Sequence, residues 1–284
     1  MEATLYPGCS LEGLAREYLE SVEAVSKSLG VHFHELEDWT CCGSSSAHVT
    51  NDRLAVALAA RNLALAEKTG LDVVVPCAAC YQRLKVAEKH MLDGKPVEGI
   101  AGVYEGKARV KSVVDFFWVN VGEKEIRDRV RKSLAAISPV SYYGCLTARP
   151  PKITDAKNAE NPLEMDCILK SLGANVKNWS YKTDCCGGSL TLTRPDIQMK
   201  LTQKLFDMAE EAGADCIVVA CPMCHMNLDS KQKEISQEAG KEYNVPVFYF
   251  SELMGLAFGD PAVEKWLGRH IVDPRPFLRS KGLI

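Results

Sequence analysis

Cys41-Cys42-Gly43 and Cys77-Ala78-Ala79-Cys80 recur 144 residues later as Cys185-Cys186-Gly187 and Cys221-Pro222-Met223-Cys224. In each copy, 34 residues separate the adjacent cysteines from the Cys-x-x-Cys motif. A lone cysteine precedes each copy, Cys9 in the first half and Cys145 in the second. Ten of the twelve cysteines thus form two sets of five, so the sequence predicts a duplicated chain with one thiol-rich site in each half.

Length and composition are those of an ordinary globular protein. The 284 residues are 46% apolar and 25% charged, and 34 Lys and Arg against 37 Asp and Glu give a net charge of −3. Nucleic-acid binding is not indicated, because there is no basic excess or basic tract. The chain starts without the features of a secretory signal, and Lys111 and Asp115 interrupt the apolar window 110–121, so it is no membrane span. We expect a soluble cytoplasmic protein. In that reducing compartment, closely spaced cysteines bind metal or do redox chemistry more often than they form disulfides.

Apolar patterning predicts the same alternation of strands and helices in both halves. The first half has expected strands at 3–6, 31–36, 72–75 and 110–118, and expected helices at 11–29, 51–68 and 81–91, with Asn51 as an N-cap. The second half has expected strands at 140–143, 216–219 and 245–250, and expected helices at 163–172 and from Pro195 to the residue before Gly213. The segment from about Pro261 onwards has no assignment.

Strands that alternate with helices imply right-handed βαβ crossovers. The predicted fold class is therefore α/β, with two pseudo-symmetric Rossmann-like βαβ units, mainly parallel sheets, and cysteine loops at the carboxyl ends of the strands. The expected domains are residues 1–120 and residues 121–284 with the C-terminal tail. Ligands of such sheets gather at the carboxyl ends of the strands, where helix N-termini favour an anionic group.

The spacing of the cysteines leaves several kinds of site open. Five thiols per half are one more than a tetrahedral zinc ion needs, and one more than the four that an ordinary iron–sulfur cube uses. A structural zinc with one spare cysteine in each half remains an alternative. A thioredoxin-like dithiol at either Cys-x-x-Cys is another, although it leaves the other cysteines unused. Cys167 and Cys216 lie outside both sets and are predicted to be buried, inert residues.

The complete pattern, C-x31-CC-x34-C-x2-C followed by C-x39-CC-x34-C-x2-C, resembles the tandem CCG-domain family, and within it the B subunits of heterodisulfide reductases. The resemblance spans nearly the whole chain. It includes the segment Gly144-Cys145-Leu146-Thr147-Ala148-Arg149-Pro150 and the segment Asn161-Pro162-Leu163-Glu164-Met165-Asp166.

This resemblance implies that each complete set binds a noncubane [4Fe–4S] cluster. The implied ligands are Cys9, Cys41, Cys42, Cys77 and Cys80 for one cluster, and Cys145, Cys185, Cys186, Cys221 and Cys224 for the other. The implied activity is reduction of the CoM-S-S-CoB disulfide to two thiols by a disulfide oxidoreductase. The implied electron source is the ferredoxin-like C subunit of heterodisulfide reductases, supplied in turn by their flavin-bearing A subunit, which performs electron bifurcation. Neither a dinucleotide-binding glycine motif nor a Walker loop is present, so nucleotide binding is not supported.

An anionic disulfide implies a basic pocket and a source of protons. Arg149 and Lys152 are the cations expected to bind substrate, and Arg83 and Lys85 are weaker candidates. The candidate proton donors are one histidine in each half, His48 and His225. The alternative for each of these six side chains is an ordinary surface or packed residue.

Other members of the family keep the clusters and do different chemistry. The alternatives are an electron-relay subunit of a lactate, glycolate or succinate type of oxidoreductase, and a heterodisulfide-reductase-like protein of sulfur oxidisers. A non-catalytic interaction module stabilised by zinc is the alternative from a different class.

Overall fold

The computed structural model describes residues 1–97, 99–100 and 104–284. The strands are β1 (Glu2–Leu5), β2 (His32–Glu35), β3 (Val73–Val75), β4 (Val110–Ser112), β5 (Pro139–Tyr142), β6 (Cys216–Val219) and β7 (Val247–Tyr249). The helices of the first half are α1 (Gly8–Glu12), α2 (Arg16–Ser28), α3 (Ser44–Thr50), α4 (Asp52–Glu67), α5 (Ala78–Leu92), α6 (Val113–Asp115) and a π-helical turn (Phe116–Val121). They continue as α7 (Glu123–Asp128), α8 (Pro151–Thr154), α9 (Glu164–Ser171), α10 (Pro195–Glu211), α11 (Pro222–Ser230), α12 (Gln232–Ala239), α13 (Phe250–Phe258), α14 (Val263–Leu267) and α15 (Arg275–Ser280), with a short 3-10 helix at Gly188–Leu190.

Both sheets are parallel, as predicted. The first has the strand order β2-β1-β3-β4 and the second has the order β5-β6-β7. The central strands β3 and β6 are buried along their whole length, which is what continuous runs of β-branched residues favour in a parallel sheet covered on both faces. The α/β class with parallel sheets is thereby confirmed.

The second sheet has three strands where the first has four. The segment that corresponds to β2, residues 174–181, runs extended beside β5 but makes few ladder bonds. Asn175 donates its N–H to the Ile137 carbonyl at 3.0 Å, and Lys177 donates to that of Pro139 at 2.8 Å. The second half therefore repeats the topology of the first with a shortened edge.

The predicted helix 11–29 is divided into α1 and α2. Gly13 ends α1 and donates its N–H to the Cys9 carbonyl at 3.1 Å. Glycine favours such a break because it loses more backbone entropy in a helix than other residues. As a result Leu14, an apolar residue within the predicted helix, is 82% exposed. The predicted N-cap is confirmed, because the Asn51 side chain accepts the Leu54 N–H at 3.1 Å.

The two halves share a hydrophobic cluster that includes Tyr18 of α2, and a second cluster is formed mainly by the first half. The ring of Tyr18 stacks on Tyr249 with centroids 4.0 Å apart. Its hydroxyl donates to the Ala220 carbonyl at 3.0 Å and lies 3.5 Å from the Pro76 carbonyl. Pro76 and Ala220 each precede the first cysteine of a Cys-x-x-Cys motif, so one side chain bridges the two strand ends that carry these motifs.

The C-terminal segment, which the sequence left unassigned, packs on the first half. Glu20 of α2 accepts hydrogen bonds from Lys265 and Arg269 at 3.0 and 2.9 Å. Trp266 between them is buried. Within the described part of the chain, no helix combines the length and apolar character needed to cross a membrane.

We expect Tyr18→Phe to lower the free energy of unfolding by about 1–3 kcal/mol, because it leaves the buried Ala220 carbonyl without its hydrogen-bond donor. Tyr181→Phe is the matched control, since among the described residues the Tyr181 hydroxyl donates no hydrogen bond. Urea unfolding of the two variants measures the difference. An equal loss in both would mean that the Tyr18 hydroxyl does not hold the halves together.

Candidate functional site

Each set of five cysteines comes together at the carboxyl end of its sheet. In the first half, Cys77 directly precedes α5 and Cys80 lies in its first turn. The Cys42 Sγ, which reaches this point from the loop before α3, is 3.3 Å from the Cys80 Sγ. The second half repeats the arrangement, with the Cys186 Sγ 3.6 Å from the Cys224 Sγ. The predicted position of the cysteine loops is therefore correct.

Each set has a buried side and an open side. The buried cysteines are Cys42, Cys77 and Cys80 in the first half and Cys186, Cys221 and Cys224 in the second. Cys9, Cys41 and Cys185 are exposed, and Cys145 is half-buried. Each site is thus built into the protein on one side and open to solvent on the other.

The two sets also meet each other. The side chains of Cys77 and Cys221, the first cysteines of the two Cys-x-x-Cys motifs, approach each other across the junction of the halves. Both are fully enclosed, and Tyr18 closes the space behind them. The two sets of cysteines are therefore adjacent at this point.

Hydrogen bonds between thiols set the protonation pattern. The hydrogen bond between Cys42 and Cys80 lowers the pKa of Cys42 to about 7 against the opposing effect of burial, with further help from backbone N–H groups and Arg83. The hydrogen bond from Cys145 likewise lowers the pKa of Cys185 to about 6, assisted by the N–H groups of Gly187 and Gly188. The same hydrogen bonds raise the pKa values of the partner thiols, Cys80 and Cys145. Each half can therefore hold a thiolate near neutral pH, and the thiolate is the form that binds metal.

Glycines let the backbone approach the sulfur atoms. Gly8 and Gly144, each next to the lone cysteine of its half, have φ of +68° and +69°. A Cβ at Gly8 would lie 3.0 Å from the Cys80 Sγ, and one at Gly144 would lie 2.9 Å from the Cys224 Sγ. Both the left-handed backbone and the close contact require glycine.

We expect Gly144→Ala to lower the free energy of unfolding by about 2–4 kcal/mol, combining left-handed strain with overpacking against Cys224. Gly70→Ala is the control, because Gly70 has φ of +67° but no atom within 4 Å of the place that an alanine methyl group would take. It should lose only the strain, about 1–2 kcal/mol. Urea unfolding of both variants tests whether the sulfur contact adds to the backbone effect, and equal losses would refute it.

The four cations that the sequence analysis named differ in burial and in ion pairing. Lys85 is buried and ion-paired with Glu88 and Asp155, and Arg149 is ion-paired with Glu160. Lys152 is exposed. Arg83 is half-buried near Cys42. Lys85 and Arg149 are therefore occupied by acidic partners, whereas Lys152 and Arg83 have no ion pair among the described residues.

The two histidines occupy different environments. His48 is exposed, with its Nδ1 3.2 Å from the Ser44 carbonyl. His225 is buried, stacks on Tyr249 with centroids 4.2 Å apart, and has its Nε2 3.2 Å from the Val247 carbonyl. Burial holds the pKa of His225 well below its usual range, so the ring is neutral. Of the two spare cysteines, Cys216 is buried as predicted and Cys167 is only half-buried.

Sequence patterns did not reveal the buried group of Tyr18, Tyr249 and His270 behind the second site. Tyr249 stacks between Tyr18 and His225, and the His270 ring packs edge-on against His225 at 4.6 Å. His270 also bonds to Glu252 at 2.9 Å. The one available signal was the composition of the strand end Val247–Tyr249, which carries large aromatic residues towards the cysteine motif.

In residues 1–97, 99–100 and 104–284, no group of three or more His, Cys, Asp or Glu side chains has the arrangement of a single metal-ion site. Two sulfur ligands of one tetrahedral ion, with bonds of about 2.3 Å, lie about 3.8 Å apart. The Sγ atoms of Cys42 and Cys80 are 3.3 Å apart, as in two hydrogen-bonded thiols. This distance has to increase by a few tenths of an ångström for both to bind one metal ion.

Comparisons with known proteins agree with this arrangement. The family model described as a cysteine-rich domain, CCG, matches residues 3–85 and 140–229. The 8-methylmenaquinol:fumarate reductase membrane anchor subunit of Wolinella succinogenes is 33% identical, over 96% of this chain and 97% of its own. The B subunit of the ferredoxin/F(420)H(2)-dependent CoB-CoM heterodisulfide reductase of Methanosarcina acetivorans is 25% identical, over 97% of this chain and 95% of its own.

A solved structure shows the same fold. The crystal structure of a hypothetical protein from Helicobacter pylori superposes with a TM-score of 0.72 at 12% identity, covering 96% of this chain. This chain corresponds to 52% of that protein, so the likeness concerns the fold alone. The family match covers each half from its first strand to its Cys-x-x-Cys motif. The chain therefore belongs to the CCG cysteine-rich domain family, with one copy of the domain in each half.

Proposed function

We propose that this chain is the disulfide-reducing subunit of an oxidoreductase complex of the heterodisulfide reductase type. In this proposal the two halves, residues 1–120 and 121–284, each bind one noncubane [4Fe–4S] cluster. The ligands are Cys9, Cys41, Cys42, Cys77 and Cys80 in the first half, and Cys145, Cys185, Cys186, Cys221 and Cys224 in the second. The observation that carries the proposal is the contact of the two sets through Cys77 and Cys221.

The residues present fit such a cofactor. Five thiols per site exceed the four of a zinc ion or a cube, and a cluster with an unusual iron arrangement has a use for the fifth. Gly8 and Gly144 keep Cβ atoms away from the sulfurs of Cys80 and Cys224. The Gly187 N–H donates to the Cys185 Sγ at 3.3 Å, as backbone groups do around anionic iron–sulfur centres.

The chain's own residues supply the position and the surroundings of the reaction. A bound cluster supplies one-electron transfer, so two clusters match the two electrons that a disulfide takes up. Tyr18 fixes the strand ends that carry Cys77 and Cys221, so both sites keep a constant separation. The exposed edge at Cys9, Cys41 and Cys185 is where a small disulfide can approach from solvent. His48 is accessible for protonating a departing thiolate, whereas the neutral, enclosed His225 is better suited to packing.

The proposed substrate is the CoM-S-S-CoB disulfide. The proposed partners are the ferredoxin-like C subunit of such a complex and, through it, the flavin-bearing A subunit. Of the four cations named from the sequence, Lys152 and Arg83 have no ion pair among the described residues and could meet the anionic groups of such a substrate. Arg149 can join them only by exchanging Glu160 for the substrate.

An electron-relay subunit without disulfide chemistry is the second candidate. Two observations favour it: the relative named as part of a fumarate reductase is the more similar of the two described, and Lys85 and Arg149 are already neutralised by acidic partners. The relay needs both clusters but no basic pocket.

One set of measurements separates these proposals. We expect anaerobically purified protein to contain about eight iron and eight sulfide per chain. Dithionite-reduced protein should then convert CoM-S-S-CoB into two thiols, and Lys152→Ala should raise the KM for that substrate without removing iron. Bound iron without thiol release would favour the electron relay. Zinc in place of iron would leave only the interaction module.

A further inference from the structure

The two cysteine sets share their backbone geometry but differ in charge at several equivalent positions, and at two of these the charged residue acts directly on a cysteine of its set. The shift of 144 residues that superposes the motifs also takes Thr40 to Asp184 and Arg83 to Asn227. In both pairs the first-half residue is one unit of charge more positive than its second-half counterpart.

The first position directly precedes the adjacent cysteines. The Tyr6 hydroxyl donates to the Thr40 carbonyl at 2.7 Å, and the Tyr142 hydroxyl donates to the Asp184 carbonyl, also at 2.7 Å. The backbones are therefore anchored in the same way. The side chains differ, because a neutral hydroxyl stands beside Cys41 where a carboxylate stands beside Cys185.

The second position lies three residues after the last cysteine of each set, one helical turn away on the same face of α5 or α11. The Asn227 Nδ2 donates to the Cys186 carbonyl at 3.1 Å and lies 3.7 Å from the Cys186 Sγ. Arg83 occupies the same position beside Cys42, is half-buried, and forms no ion pair within the part of the chain that the structure describes. A full positive charge thus replaces a neutral amide.

Other groups near the two sets do not cancel this difference. Arg149, which follows Cys145, is neutralised by its ion pair with Glu160. Backbone N–H groups reach the sulfur atoms in both halves, from Gly43 to Cys41 and from Gly187 and Gly188 to Cys185. Solvent also stabilises added negative charge more at the first set than at the second, because Cys9 is exposed whereas Cys145 is half-buried.

Net charge, hydrogen bonds to sulfur and solvent exposure set the reduction potential of an iron–sulfur cluster. A reduced cluster is one unit more negative than an oxidised one, so a nearby cation stabilises the reduced form and a nearby carboxylate destabilises it. We propose that the first-half cluster has the higher reduction potential and accepts the first electron, with Arg83 and Asp184 as the residues that set the order.

This inference rests on the proposed function, because it requires a cluster in each half. Each step takes one electron from a low-potential one-electron donor, dithionite in the experiment below, which is oxidised while one cluster is reduced. No atom is transferred in either step.

The test is an anaerobic redox titration of the intact protein, followed by EPR and by absorbance, after iron analysis has shown two clusters. Wild type should give two separate one-electron waves. Arg83→Asn should make reduction in the higher-potential wave at least tenfold less favourable, a downward shift of about 59 mV for a one-electron couple. Arg83→Lys should keep the wild-type value. Asp184→Thr should move the lower-potential wave upwards, and Arg279→Asn, which removes an exposed cation paired with Glu264, should move neither.

Two coincident waves in wild type would overturn the inference, and so would a shift of the lower-potential wave in Arg83→Asn. If Arg83→Asn loses its cluster, Asp184→Thr still tests the inference, because it should move the lower-potential wave upwards. A protein without two clusters would instead overturn the proposed function, so the two failures are distinguishable.

Discussion

Cys42→Ser is expected to lose about half of the bound iron and sulfide, close to four of each, and to keep the remainder. Cys42 is buried and its Sγ is 3.3 Å from that of Cys80, so a hydroxyl in its place removes a central ligand of the first set. Cys186→Ser should do the same to the second set, since the Cys186 Sγ holds the equivalent position 3.6 Å from Cys224. The double variant should bind no cluster. Iron and acid-labile sulfide analysis of anaerobic protein measures all three.

The contact between Cys77 and Cys221 makes this measurement decisive, because it brings the two sets close enough for a single shared centre to be conceivable. If the two clusters are independent, the iron lost by Cys42→Ser and the iron lost by Cys186→Ser should add up to the total iron of the wild type. A shared centre predicts that Cys42→Ser alone removes all the iron. Cys167→Ser is the matched control, because Cys167 is a half-buried thiol outside both sets, on α9. If the control lost as much iron as Cys42→Ser, the assignment of ligands would be wrong.

The duplicated cysteine pattern was enough to predict the class of fold and the place of the site. Strands such as Val73–Val75 could be recognised because a buried parallel strand needs a continuous apolar run. The Cys-x-x-Cys motif follows this strand directly. The family resemblance, which the comparisons confirmed, rested on the same spacing.

What the sequence could not predict depends on contacts between residues far apart in the chain. Lys85 looked like a free cation beside Cys80, but Asp155 of the second half reaches it. The contact of Cys77 with Cys221 likewise arises from how two similar halves pack, and periodicity within one half carries no information on that packing. The docking of Trp266 on the first half was missed for the same reason.

His270→Gln is expected to lower the free energy of unfolding by about 3–5 kcal/mol at pH 6, because it leaves the carboxylate of Glu252 buried without its partner. Both side chains are fully enclosed, and the His270 Nε2 lies 2.9 Å from the Glu252 Oε1. Glu252 also accepts the Tyr249 N–H at 2.9 Å, so its position is fixed. Replacing both residues, as His270→Gln with Glu252→Gln, should recover most of the loss, since it removes the unpaired charge and keeps polar groups in place.

The same pair makes stability depend on pH. Burial lowers the pKa of His270, but the charge of Glu252 and the hydrogen bond to it outweigh burial, with help from Asp229 and Glu17, and raise the pKa to about 9. The nearby His225 is neutral and does not offset them. Because the pKa is higher in the folded state than the ordinary value of about 6.5, the folded protein binds the extra proton between these values. The contribution of His270, about 3 kcal/mol, is therefore complete below pH 6.5 and declines to zero as the pH rises through about 9.

Urea unfolding of wild type and His270→Gln at pH 6, 7.5 and 9 measures this decline, and the difference between the two proteins removes the titration of all other groups. We expect the difference to shrink by about 1.4 kcal/mol per pH unit above pH 6.5. The His270 Nδ1 is buried and has no hydrogen-bond partner in the described residues. Protonation of the ring is therefore stabilised only by the nearby carboxylates. A difference that stays constant from pH 6 to pH 9 would therefore show that His270 is neutral in the folded protein and bonds Glu252 without an ion pair.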